Sequence, residues 1–136
     1  IAMSVSFMGA QAQSLAPVQT PDAERGRALL LNHQESGCVL CHRIPGLASR
    51  AELGPDLSGV ASRFTDEALF DQIADARRVN PHTIMPPTLS RDGLHRVASA
   101  WKDKTLLRAE QVRDIVAYLR LVSSGVAANP IDGGKP

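Results

Sequence analysis

Two thiols and an imidazole fall within five residues of this chain, Cys38-Val39-Leu40-Cys41-His42. Cysteines separated by two residues can add to the two vinyl groups of one porphyrin. A histidine directly after the second cysteine can set its imidazole beneath the ring's iron. The C-x-x-C-H spacing therefore predicts a haem c, its covalent tether through Cys38 and Cys41, and one axial metal ligand, His42. Two other uses of the pair are weaker. A zinc site needs a second ligand pair, and no other histidine stands at ligand spacing. A thioredoxin-like redox pair needs a βαβ setting, which the sequence lacks. The chain has two cysteines in all, so neither a disulfide nor a spare thiol remains once both are thioethers.

A histidine ligand fixes its tautomer by donating a hydrogen bond from its second ring nitrogen. Gly54-Pro55-Asp56-Leu57 is the predicted acceptor segment, with the carbonyl of Pro55 best suited because the proline ring stiffens the backbone. Met85 is the predicted sixth ligand. Of three methionines, Met3 and Met8 lie in the apolar N-terminal stretch, and Met85 is flanked by Pro81, Pro86 and Pro87. His82, three residues before it, is the rival; imidazole there would lower the iron potential relative to a thioether. His33 and His95 read as surface or hydrogen-bonded histidines. Arg63 either pairs with a haem propionate or stands solvated. Trp101 either packs on the haem or fills the core.

Helices must position these groups. Thr20-Pro21-Asp22 reads as a helix start, with a capping hydroxyl, proline at the first helical position and acids in the first turn. That helix is predicted to run to about Asn32, its apolar stripe being Ala23, the Arg27 stem, Leu30 and Leu31. The haem motif sits on a short helical turn. The Gly- and Pro-rich stretch from Ile44 to Ser62 reads as loop. Thr65-Asp66-Glu67 opens a second long helix carrying Leu69, Phe70, Ile73 and Ala74 at helical spacing. The proline-rich segment around Met85 can be neither helix nor central strand. Leu94 to Trp101 is predicted as a short helix. Thr105 to Ser123 is predicted as the clearest helix, with Val112, Ile115, Val116, Leu119 and Val122 on one face. No strand pattern is present, so the predicted class is all-α.

With 136 residues, the chain suits one domain; 15 basic residues nearly balance 14 acidic ones, which argues against nucleic acid or an anionic membrane as the main partner. Residues 1–12, apolar and ending in Ala10-Gln11-Ala12, read as the remnant of an export signal. Residues 13–21 read as a flexible lead-in, 22–123 as the haem domain and 124–136 as a flexible tail. No segment is long and apolar enough to span a membrane. Haem c attachment and an export signal together predict a periplasmic location.

These residues in this order resemble class I cytochromes c over about Asp22 to Ser123. The resemblance places Gly26 and Tyr118 at the close crossing of the first and last helices, and implies the Pro55 acceptor and a propionate at Arg63. The match is nearer still to the SoxX cytochromes of bacterial sulfur oxidation, above all in Asn80-Pro81-His82-Thr83-Ile84-Met85-Pro86. It implies one covalent haem, a SoxA-like cytochrome subunit as heterodimeric partner, and a complex that oxidatively joins thiosulfate to a carrier-protein cysteine. The substrate site would lie in that partner, this chain passing single electrons to a soluble cytochrome acceptor. A free-standing periplasmic shuttle cytochrome is the first alternative, and a haem enzyme or gas sensor with a labile sixth ligand is the second. One departure from the family is Arg108, where the last helix opens; a hydroxyl there is usual, and its loss costs about 1 kcal/mol.

Overall fold

The computed structural model describes residues 20–125. Among the described residues four α-helices carry the fold: α1 (Pro21–Leu31), α2 (Val60–Arg63), α3 (Asp66–Asp75) and α4 (Ala109–Ser123). Short 3-10 turns lie at Cys38–Leu40, Ala76–Arg78 and Ser99–Trp101. No strand occurs among the described residues, and none of their helices is long and apolar enough to cross a membrane. The export-signal remnant, residues 13–19 of the lead-in and the tail from residue 126 lie outside the described residues.

Local chemistry starts the helices where the sequence says it should. Thr20 Oγ1 accepts the Ala23 N–H at 3.3 Å, and Thr65 Oγ1 accepts that of Ala68 at 3.2 Å. Each satisfies an N–H that the helix itself leaves without a partner. The last helix begins later than its apolar pattern suggests: Arg108 is the N-cap, and Thr105 to Leu107 run outside the helix. An arginine side chain has only donors, so it cannot accept from the first turn. Gln111 supplies the other half of a capping box, its Oε1 accepting the Arg108 N–H at 2.9 Å while its Nε2 donates to Glu35 Oε1 at 2.6 Å.

Helices α1 and α4 cross at the centre. The buried face of α1 is Ala23, Gly26, Leu29 and Leu30, so the stripe is centred on the glycine and Leu31 points outward at 40% exposure, contrary to the sequence expectation. Arg25 forks onto Asp114 with Nε–Oδ2 and Nη2–Oδ1 both at 2.9 Å. Around the crossing lie Leu30, Ile44, Leu107, Val112, Ile115 and Tyr118, all fully buried. The Tyr118 hydroxyl donates to the Pro45 carbonyl at 2.9 Å, tying α4 to the chain just after the cysteine motif. Arg120 binds the carbonyls of Ala61 and Phe64 and the carboxylate of Asp66, so α4 also holds the junction of α2 and α3.

Two other segments depart from the sequence reading. The stretch read as loop before Ser62 contains the start of α2, one turn long. The predicted helix from Leu94 to Trp101 is reduced to the 3-10 turn Ser99–Trp101, because Gly93 and Arg96 both take left-handed backbone conformations at φ 68° and 61°.

Candidate cofactor site

The cysteine motif is built on backbone held by two serines. Ser36 is buried; its hydroxyl donates to the Leu29 carbonyl at 2.7 Å and accepts the Cys38 N–H at 3.4 Å. This fastens the motif to the end of α1. Gly37 then turns the chain at φ 68°, a left-handed conformation that other residues take only at a cost. The 3-10 turn Cys38–Leu40 follows, closed by the His42 N–H donating to Cys38 O at 2.9 Å. Ser49 folds back over the same turn, its hydroxyl reaching the carbonyls of Val39 at 3.0 Å and His42 at 2.6 Å. Cys38 and Cys41 are both partly buried, and no disulfide joins them. Burial pushes the Cys38 thiol up from its ordinary range.

The imidazole of His42 is oriented from below. Its Nδ1 lies 2.8 Å from the Pro55 carbonyl oxygen. A carbonyl can only accept, so the proton is on Nδ1 and the Nε2 lone pair faces the other way. Gly54 packs flat against the same ring: a Cβ there would stand 2.5 Å from Cε1 and 2.7 Å from Nδ1. The Gly54 N–H in turn donates to Cys41 O at 2.7 Å, so the acceptor segment and the cysteine motif form one unit.

Met85 is half buried and packs against the core cluster that Cys38 and Val39 also join; its N–H donates to Thr83 Oγ1 at 3.2 Å. The rival His82 is exposed, with its backbone N–H bound to Asn80 Oδ1 at 3.0 Å. His33 and His95 are exposed as well. Arg63 closes α2 and is exposed, its Nη1 donating to the Ser58 carbonyl at 3.2 Å. Trp101 is 44% exposed, which removes the reading in which it fills the core.

Sequence reasoning missed the two serines and the steric role of Gly54. Single hydroxyls and a lone glycine in a Gly-rich loop carry no spacing signal.

The donor set suits an iron porphyrin better than a bare ion. Among the described residues no three His, Cys, Asp or Glu side chains gather closely enough to hold a metal ion. The motif instead offers two thiols and one free imidazole lone pair, which are enough when a macrocycle supplies the remaining nitrogens. Large apolar side chains lie exposed beside these residues in the chain: Leu40 within the motif, Leu53 next to Gly54 and Ile84 next to Met85. Exposed apolar surface of this kind suits contact with an apolar group.

The family model for cytochrome c matches residues 23–123. A search of curated proteins returned no significant match. Among solved structures, the chain is similar to one from the crystal structure of SoxXA from P. pantotrophus. The identity is 27%, the TM-score 0.66, and the match covers 74% of this chain and 81% of that one. A cytochrome c domain implies a covalently held haem c. The chain belongs to the cytochrome c family, as an all-α class I electron-transfer domain close to SoxX.

Proposed function

We propose that this chain is a one-haem, one-electron carrier of the SoxX type, working as the electron-transfer subunit of a thiosulfate-oxidising complex. In this reading Cys38 and Cys41 would form the thioethers, His42 and Met85 would hold the iron, and Arg63 would pair with a propionate. The carrying observation is the unit formed by His42, Gly54 and Pro55, which holds an imidazole rigidly with one lone pair free beside two thiols. The bound group supplies a reversible one-electron couple. The chain's residues do the rest: the Pro55 carbonyl makes His42 a stronger donor, and the stiff loop around Met85 presents the thioether at little entropic cost. With both ligands in place, no position would remain for oxygen or peroxide, which suits transfer over catalysis.

The likeness to a SoxXA chain supports a SoxA-like cytochrome subunit as heterodimeric partner, with the thiosulfate site on that partner and a soluble cytochrome as acceptor. Residues 1–12 would direct export to the periplasm. The test uses the exported protein with and without the candidate partner. Intact mass must show one haem that survives acid-acetone extraction, and thiosulfate must reduce it only when the partner is present. Extraction of the colour into solvent overturns the covalent tether. A tethered haem that forms no complex and is not reduced by thiosulfate overturns the SoxX role in favour of a free-standing shuttle.

A further inference from the structure

The loop that carries Met85 stands on two feet set side by side at one helix end. Where the chain leaves, the Asn80 N–H donates to the Ala76 carbonyl at 2.9 Å. Where it returns, the N–H groups of Thr88 and Leu89 both donate to the Ala74 carbonyl, at 3.0 and 3.1 Å. The Thr88 hydroxyl, on a buried residue, donates to the Ile73 carbonyl at 2.7 Å. The Ile73 and Ala74 carbonyls belong to the last turn of α3, which has no intrahelical partners for them. The returning limb of the loop therefore supplies donors to the carbonyls that the last turn of α3 leaves open.

A second grip follows immediately. The guanidinium of Arg77 forks onto Asp75, with Nε–Oδ1 and Nη2–Oδ2 both at 2.7 Å. Its remaining donors reach across to the same returning limb: Nη1 to the Asp92 carbonyl at 2.8 Å and Nη2 to Ser90 Oγ at 3.3 Å. Asp75 is buried, and Arg77 is mostly covered. Removing such a pair from water is costly, so its value is positional more than energetic. Only Pro86 and Pro87 separate Met85 from Thr88. Their fixed φ gives this short tether almost no slack, so a displacement at Thr88 is passed on to Met85.

We propose that Arg77, aimed by Asp75, is a positioning residue for Met85: it clamps the returning limb of the loop and so sets how firmly the thioether is held at the iron. This rests on the reading of Met85 as sixth ligand. Lysine cannot replace the fork, because a point charge cannot bind Asp75 in two places while also reaching Ser90 and Asp92. The clamp acts only through the loop, and no atom of Arg77 needs to approach the cofactor.

The test compares the haem-loaded wild type with Arg77→Gln, Arg77→Lys, Asp75→Asn and Met85→Ala. Asp114→Asn serves as a variant weakened elsewhere. Three readouts apply: the near-infrared sulfur-to-iron band, the affinity of the ferric protein for added imidazole, and amide exchange at Thr88 and Leu89. Arg77→Gln and Asp75→Asn are expected to bind imidazole about tenfold more tightly and to exchange faster at both amides. Arg77→Lys is expected to rescue neither. Asp114→Asn, although less stable, should stay within about twofold of wild type in imidazole affinity, being remote from the loop. Should Arg77→Gln fail to fold, Arg77→Lys and Ser90→Ala carry the same comparison. Wild-type imidazole affinity in the Arg77 variants, with the band lost in Met85→Ala, overturns the clamp and leaves Met85 as ligand. A wild type without the band, or Met85→Ala with it, overturns the ligand assignment and the clamp together.

Discussion

Gly26 on α1 and Asp114 on α4 meet backbone to backbone: a methyl group at Gly26 would stand 1.9 Å from the Asp114 carbonyl oxygen and 2.5 Å from its carbon. The obstacle is main chain, so no flexible side chain can swing away. Glycine is therefore required here for close approach, not for an unusual φ. The Arg25–Asp114 fork sits on the same contact and depends on it.

Gly26→Ala is expected to lower stability by about 3 kcal/mol, the upper part of the range for overpacking a close contact. The gain in helix propensity from alanine, about 1 kcal/mol, offsets only part of the strain. Chemical denaturation of the haem-loaded protein measures it. A midpoint equal to or above that of wild type would mean that the helices separate without cost.

Gly54→Ala tests the other glycine contact. Its Cβ would meet the His42 ring at 2.5 Å, forcing the imidazole off its present line and stretching the 2.8 Å bond to Pro55. The ring is only half buried, so the loss of fold stability is expected to be small, about 1 kcal/mol. The spectroscopic effect should be larger: less coloured protein per polypeptide and an altered Soret band. An unchanged spectrum at full haem content would show that the ring has room to spare.

Asp75 gives a pH dependence with a definite sign. Hydrogen bonds from Arg77 hold its carboxyl down at about 2, below the usual value of 3.8. A carboxyl lowered by folding adds stability that is fully present above its unfolded value and is lost as pH falls through the folded one. Wild type should therefore lose its advantage over Asp75→Asn between about pH 4 and pH 2. Denaturation midpoints of the two proteins across that window provide the check. A gap that stays constant with pH would remove the carboxylate from the account.

Features set by covalent or local chemistry were legible in the sequence. The C-x-x-C-H spacing of Cys38, Cys41 and His42 is read within five residues, and the Thr20 and Thr65 caps depend only on residues three places on. The family resemblance added the Gly26 crossing, which no hydropathy pattern reports, because a glycine does not count as part of an apolar stripe. For that reason the apolar pattern points Leu31 inward, whereas the buried face turns about Gly26. Leu94, Val97 and Trp101 imitate a helical stripe by spacing, yet the left-handed backbone at Arg96 breaks it. The Asp75–Arg77 pair was hidden for a different reason. Residues two apart do not face each other on an α-helix, and these two meet only because α3 gives way to a 3-10 turn between them.

The joining of α1 to α4 also imposes an order of events in time. Arg25 and Asp114 are 89 residues apart in sequence, so the domain has no closed form until α4 has been synthesised. Contacts of such long range slow assembly more than they weaken the finished product. Cys38 and Cys41 thus emerge, and stay open to chemistry, well before the polypeptide can shut around them. Connectivity alone leaves that turn accessible for an interval before the domain closes.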